Sequence, residues 1–109
     1  MKLLNAFSPS MLPNDECVCF EEISLEKAKK LLSSEKIDSS IGHEGTAKVL
    51  QSLLGLNVET KRTQVTLKDN EQSIIATINM RLPEGTVLSR EDMEKIPIRW
   101  ILATIKKCQ

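Results

Sequence analysis

Between Ser73 and Leu82 every second residue is apolar: Ile74, Ala76, Ile78, Met80 and Leu82. A period of two puts all of them on one face of a strand. The residues between them begin with Ile75 and then turn polar, at Thr77, Asn79 and Arg81. A strand buried on both faces does not ordinarily end that way. The polar end is either a solvated edge or the wall of a pocket at the carboxyl end of a strand, where open α/β sheets hold ligands. Similar runs predict strands over Leu3 to Phe7, Cys17 to Ile23, Arg62 to Leu67 and Ile98 to Ile105. Pro97 stands at the start of the last, a place where a strand tolerates proline.

Elsewhere the apolar period lengthens to that of a helix. Ala47, Val49, Leu50, Leu53 and Leu54 form a stripe that stops at Gly55, predicting a short amphipathic helix closed by glycine. Ala28, Leu31 and Leu32 continue a second helix opened by Ser24 and ended near Ser33 and Ser34. Ser8-Pro9 and Ser89-Arg90-Glu91-Asp92 read as two more starts, with a serine cap before proline or acids. Lys68-Asp69-Asn70-Glu71 and Pro83-Glu84-Gly85 read as turns. The order is roughly β-α-β-α-α-β-β-α-β. It predicts one α/β domain over residues 1–109, a mixed sheet of about five strands flanked by short helices.

Charge narrows the choice of partners. Acidic and basic residues number 15 each in 109, and aromatics are limited to Phe7, Phe20 and Trp100. A protein that coats long nucleic acid ordinarily shows a basic excess, and one that binds single strands offers more stacking surfaces. A small anion held by a few local charges remains open. The opening Met1-Lys2-Leu3-Leu4-Asn5 is too short an apolar run for a signal peptide, and no segment approaches a membrane span. Cys17, Cys19 and Cys108 form no zinc pattern, and they read as reduced thiols of a cytoplasmic protein.

The only histidine, His43, falls at or just before the first turn of the Ala47–Leu54 helix, inside Ser39-Ser40-Ile41-Gly42-His43-Glu44-Gly45-Thr46-Ala47. Amides at a helix start lack partners within the helix and carry partial positive charge. Gly42 and Gly45 leave that backbone uncovered, so a phosphate could approach it. An imidazole beside such a site suits acid–base chemistry on a phosphate ester. A lone histidine at a helix start is more often a cap or a surface residue, so other residues must carry a stronger reading. By the same reasoning Asn5 and Ser8 are ordinary turn and capping residues.

Several blocks taken together supply that reading. They are Asn5-Ala6-Phe7-Ser8, Ile41-Gly42-His43-Glu44-Gly45-Thr46-Ala47, Arg62-x-x-Val65, and Arg81-Leu82-Pro83-Glu84-Gly85 followed by Val87-Leu88-Ser89. In combination they resemble the small viral and mobile-element proteins that act as type III anti-CRISPR ring nucleases, and the cellular ring nucleases of the same fold. The resemblance spans nearly the whole chain. It implies a two-fold homodimer and a substrate, cyclic tetra-adenylate, the second messenger of type III CRISPR complexes in a prokaryotic host cell. It implies no metal and no cofactor. It makes His43 the catalytic histidine, with Arg81 and Glu84 beside it, and Asn5, Ser8, Gly42, Arg62 and Arg81 as ligand-binding residues.

The implied reaction needs no external nucleophile. A ribose 2′-hydroxyl attacks the adjacent phosphorus, the 5′-oxygen leaves, and a 2′,3′-cyclic phosphate remains. The protein would supply alignment, positive charge and a proton, the last from His43. Glu84 would either orient His43 or assist the nucleophile. A ring of four identical nucleotides shares the two-fold symmetry of the commonest homodimer, so two cuts would give two linear di-adenylates. A sponge that binds the ring without cutting it, a small nucleic-acid-binding regulator, and an interaction protein using the exposed sheet are the alternatives.

Overall fold

The structure, a computed structural model, describes residues 1–12, 16–78 and 89–107. Among these residues the strands are β1 (Lys2–Leu4), β2 (Glu16–Ile23), β3 (Asp38–Ser39), β4 (Gln72–Ile78) and β5 (Ile98–Lys107). The helices are α1 (Leu25–Ser33), α2 (Glu44–Leu54) and α3 (Arg90–Glu94), with one 3-10 turn at Pro9–Met11. The strands form one mixed sheet in the order β2-β5-β4-β1-β3. β1 runs parallel to both β3 and β4, while β5 runs antiparallel to β4 and β2. The predicted α/β class and mixed sheet are therefore what the chain adopts.

Local chemistry sets most element boundaries. The side chains of Ser24 and Ser89 accept hydrogen bonds from the amides of Lys27 and Asp92, each at 3.1 Å, and so open α1 and α3. Ser8 caps the 3-10 turn, and Pro9 fills its first position. Gly55 ends α2 with φ of 68°, the left-handed conformation that residues with a Cβ resist.

The sheet divides the interior in two. On one face Leu3, Ile74, Ala76, Trp100 and Leu102 meet Ala28 and Leu32 of α1 and Ala47, Leu50 and Leu54 of α2. On the other, Leu4, Ile75 and Ala103 are covered by Met11, Phe7, Val65 and Ile101 rather than by a helix. The alternation of β4 and β5 thus serves two cores, one residue of each pair pointing to each.

Three expectations fail, the first at β1, which ends at Leu4 and not at Phe7. Arg62 to Leu67 is not a strand; only Thr60, just before it, makes an isolated bridge, to Ile41. Its alternation has another cause: Leu67 is buried and Val65 packs on the second core, so the segment crosses over that face. The missing strand is β3, whose two residues carry too little pattern to be read without β1 beside them. Cys17 is also disulfide-bonded rather than a reduced thiol, whereas Cys19 is an exposed free thiol. Both sit on edge strand β2, whose side chains are largely open to solvent. Among the described residues no helix is long and apolar enough to cross a membrane.

Candidate functional site

The parallel strands bring their carboxyl ends to one side of the sheet. β1 ends at Leu4 and is followed by Asn5, while β3 ends at Ser39 and leads through Ser40 and Ile41 into Gly42 and His43. The Ser40 amide donates to the Leu3 carbonyl at 2.9 Å and locks the two exits together. The crossing segment then comes back over them: Lys61 N–H donates to the Ile41 carbonyl at 2.8 Å, and Arg62 Nε donates to the Gly42 carbonyl at 3.0 Å.

His43 is the N-cap of α2. Its Nδ1 accepts from the Thr46 amide at 3.2 Å and lies 3.3 Å from Thr46 Oγ1. An Nδ1 that accepts an N–H must hold a lone pair, so the neutral ring carries its proton on Nε2. Among the described residues no hydrogen bond engages Nε2–H. Gly45 makes the posture possible. A Cβ there would stand 3.0 Å from His43 Cε1 and 3.3 Å from Nδ1.

Gly42 plays the same part for Arg62, whose Cγ would lie 3.1 Å from a Cβ at residue 42. The two glycines therefore make room for side chains rather than leaving bare backbone. Among the described residues no carboxylate pairs with Arg62, whereas neighbouring Lys61 is 3.9 Å from Asp38.

A cavity of about 370 Å³ adjoins these exits. Asn5, Ser10, Ser40, Thr63, Gln64 and Thr66 supply its polar wall, with Leu4 and Met11 among its apolar residues. Asn5 is thus a lining residue of this cavity. Ser8 caps the 3-10 turn, and its hydroxyl is 3.0 Å from that of Ser10, which faces the cavity in its place. Sequence reading missed Ser10, Ser40, Thr63 and Gln64. The signal for them was proximity in sequence: each lies within two residues of Ser8, Gly42 or Arg62. Arg81 and Glu84, with Asn79 and the Pro83-Glu84-Gly85 turn, lie outside the described residues. β4, which precedes them, ends on the same side of the sheet as β1.

The cavity sets hydroxyl and amide side chains beside an apolar floor, a wall that can hydrogen-bond a polar ligand. His43 follows the exit of β3, and Arg62 directly precedes Thr63, but neither is among the lining residues.

Known proteins share this architecture. B116 of Sulfolobus turreted icosahedral virus (STIV) matches with a TM-score of 0.76 and 26% identity, over 94% of this chain and 96% of that one. "Uncharacterized protein 26" of Sulfolobus islandicus filamentous virus is 33% identical over 96 residues, 86% of this chain and 81% of its own. "Uncharacterized protein YddF" of Bacillus subtilis is 33% identical over 86 residues, covering 77% and 80%. The STIV B116-like family matches residues 1–100, and the chain belongs to that family.

Proposed function

We propose that this protein is a metal-independent ring nuclease that cleaves cyclic tetra-adenylate to linear di-adenylate and so ends type III CRISPR signalling. The observation that carries the reading is the seat of Arg62 beside the start of α2: its Nε donates to the Gly42 carbonyl at 3.0 Å, and Gly42 immediately precedes the N-cap His43. Among the described residues no hydrogen bond engages His43 Nε2. A cation bound to the residue before a proton donor suits a phosphodiester whose leaving oxygen needs a proton.

In the proposed step the ribose 2′-oxygen bonds to phosphorus and the bond from phosphorus to the 5′-oxygen breaks. The 2′-hydroxyl proton passes to solvent water, or to the Glu84 carboxylate where that residue assists the nucleophile, and the 5′-oxygen takes a proton from His43 Nε2. No water enters, and a 2′,3′-cyclic phosphate is left. Arg62 and Arg81 balance charge on phosphorus, Glu84 orients His43 or assists the nucleophile, Asn5 lines the ligand wall, Ser8 contacts it through the Ser10 hydroxyl, and Gly42 seats Arg62. Alignment alone can supply ~7–11 kcal/mol of barrier lowering.

The cavity is near the small end of the ~300–1,000 Å³ range of ligand pockets. It suits one nucleoside better than a macrocycle. A two-fold homodimer would share the ring between two such cavities and present one His43 to each side.

The test is incubation of purified protein with cyclic tetra-adenylate in EDTA, with products identified by mass spectrometry. Di-adenylate with cyclic phosphate ends is expected. An intact ring, or equally fast cutting by His43→Ala, overturns the proposal. The cap bond from Thr46 to His43 favours one second reading: a binding module in which the ring holds α2 and lends Nε2–H to a bound phosphate. Tight binding of the ring without product would select it.

A further inference from the structure

The proposed reaction makes a demand on the inner nitrogen of His43. To give a proton to a departing oxygen through Nε2, the ring must enter the step as imidazolium. It then leaves the step with its one remaining proton on Nδ1. The helix cap asks for the opposite, because the Thr46 amide donates to Nδ1 at 3.2 Å and needs a lone pair there. Two N–H groups facing one another satisfy neither.

One other group lies within reach of Nδ1 among the described residues. Thr46 Oγ1 is 3.3 Å away. A hydroxyl donates or accepts according to its rotation. Facing a bare Nδ1 it donates; facing Nδ1–H it accepts. Thr46 is only 8% exposed, so water is poorly placed to substitute. The ring lies close over Gly45, where a Cβ would come within 3.0 Å of its Cε1.

We infer that Thr46 is the positioning residue for His43, its hydroxyl being the reversible partner that allows Nδ1 to carry a proton while its amide holds the resting cap. The catalytic consequence rests on the ring-nuclease reading; the hydrogen-bond exchange does not. Among the described residues, charged groups stand on the elements around the start of α2: Glu44 and Lys48, paired at 3.3 Å on α2 itself, Arg62 on the crossing segment, and Asp92 with the Arg90–Glu94 and Glu91–Lys95 pairs on α3, which packs beside α2. None changes between the variants below, so their effects cancel in the comparison.

The chain has a single histidine, so ¹⁵N-histidine labelling gives one set of ring signals in the intact protein. At high pH the wild type is expected to show a bare Nδ1 and a protonated Nε2, with both protonated in acid. In Thr46→Val the doubly protonated ring should appear about one pH unit lower, the scale of one lost hydrogen bond to a charged group. Thr46→Ala should match Thr46→Val, and it covers the case in which valine disturbs the fold. Thr46→Ser should restore the wild-type titration.

With cyclic tetra-adenylate, Thr46→Val should lose about tenfold or more in kcat near neutral pH, with KM little changed, and recover on acidification. Hydroxyl-free variants that titrate like wild type overturn the inference, whether or not the ring is cut. The expected titration shift with no cutting by any form, wild type included, keeps the role of Thr46 and removes the ring-nuclease reading.

Discussion

Arg62 lies across Gly42: its Nε donates to the glycine carbonyl at 3.0 Å, and its Cγ stands 3.1 Å from where a Cβ would be. The contact is tight but backbone-neutral, because among the described residues Gly55 is the glycine with positive φ. Gly42→Ala should therefore leave unfolding free energy within about 1 kcal/mol of wild type. It should still push the arginine stem aside. Affinity for cyclic tetra-adenylate, measured by calorimetry, is expected to fall about tenfold, or ~1.4 kcal/mol.

Substitutions at His43 separate its cap from its chemistry. Asparagine can accept the Thr46 amide, whereas alanine cannot. His43→Ala should lose about 1 kcal/mol of stability in urea, and His43→Asn much less. Both should slow ring cleavage by about 10²–10⁴-fold. Equal stability of the two variants would show that the Thr46 bond contributes nothing to α2.

Gly55 closes α2 at φ of 68°, and a Cβ there would meet only Lys29 side-chain atoms at 3.8 Å or more. There is room for a side chain but not the conformation. Gly55→Ala should cost about 1 kcal/mol through the backbone alone. A lower urea midpoint at unchanged m-value, with cleavage unaffected, is the expected result.

Acid should weaken the fold through Glu71. Burial by itself would raise its pKa, but the hydrogen bonds from Lys2 and the Lys68 amide, with attraction to both lysines, outweigh it and hold the carboxyl below its usual 4.5. A carboxylate lowered on folding stabilises above its unfolded pKa and loses that contribution as pH falls through the folded value. Wild type and Glu71→Gln should differ by roughly 1–2 kcal/mol at pH 7. The gap should close on titration below about pH 4.5, read from urea melts at each pH. A gap that persisted in acid would remove the Lys2–Glu71 ion pair, 2.7 Å long, from the explanation.

What the sequence disclosed was chemistry local to a few residues. The serine caps at Ser8, Ser24 and Ser89 and the glycine stop at Gly55 all stand as read, since each depends on neighbours within one turn. So does the placement of His43 at the start of α2. Contacts between distant segments were not legible. Val65 and Leu67 alternate like strand residues because they cover a sheet face, and nothing in that alternation says whether its partner is an edge or a surface. The seat of Arg62 on Gly42 joins residues far apart in sequence, so it emerges only once Lys61 has met Ile41.

The strand order has a kinetic side. Leu3 pairs with Ile74 on one flank and with Ser39 on the other, so β1 is wedged between strands formed much later along the chain. A ribosome must deliver Gln72–Ile78 before that wedge can be seated. Until then β3 and β4 have nothing between them to share. Insertion of so short a segment at such long sequence separation is a slow kind of step, and the walls around Asn5 and Ser40 take shape only when it is complete.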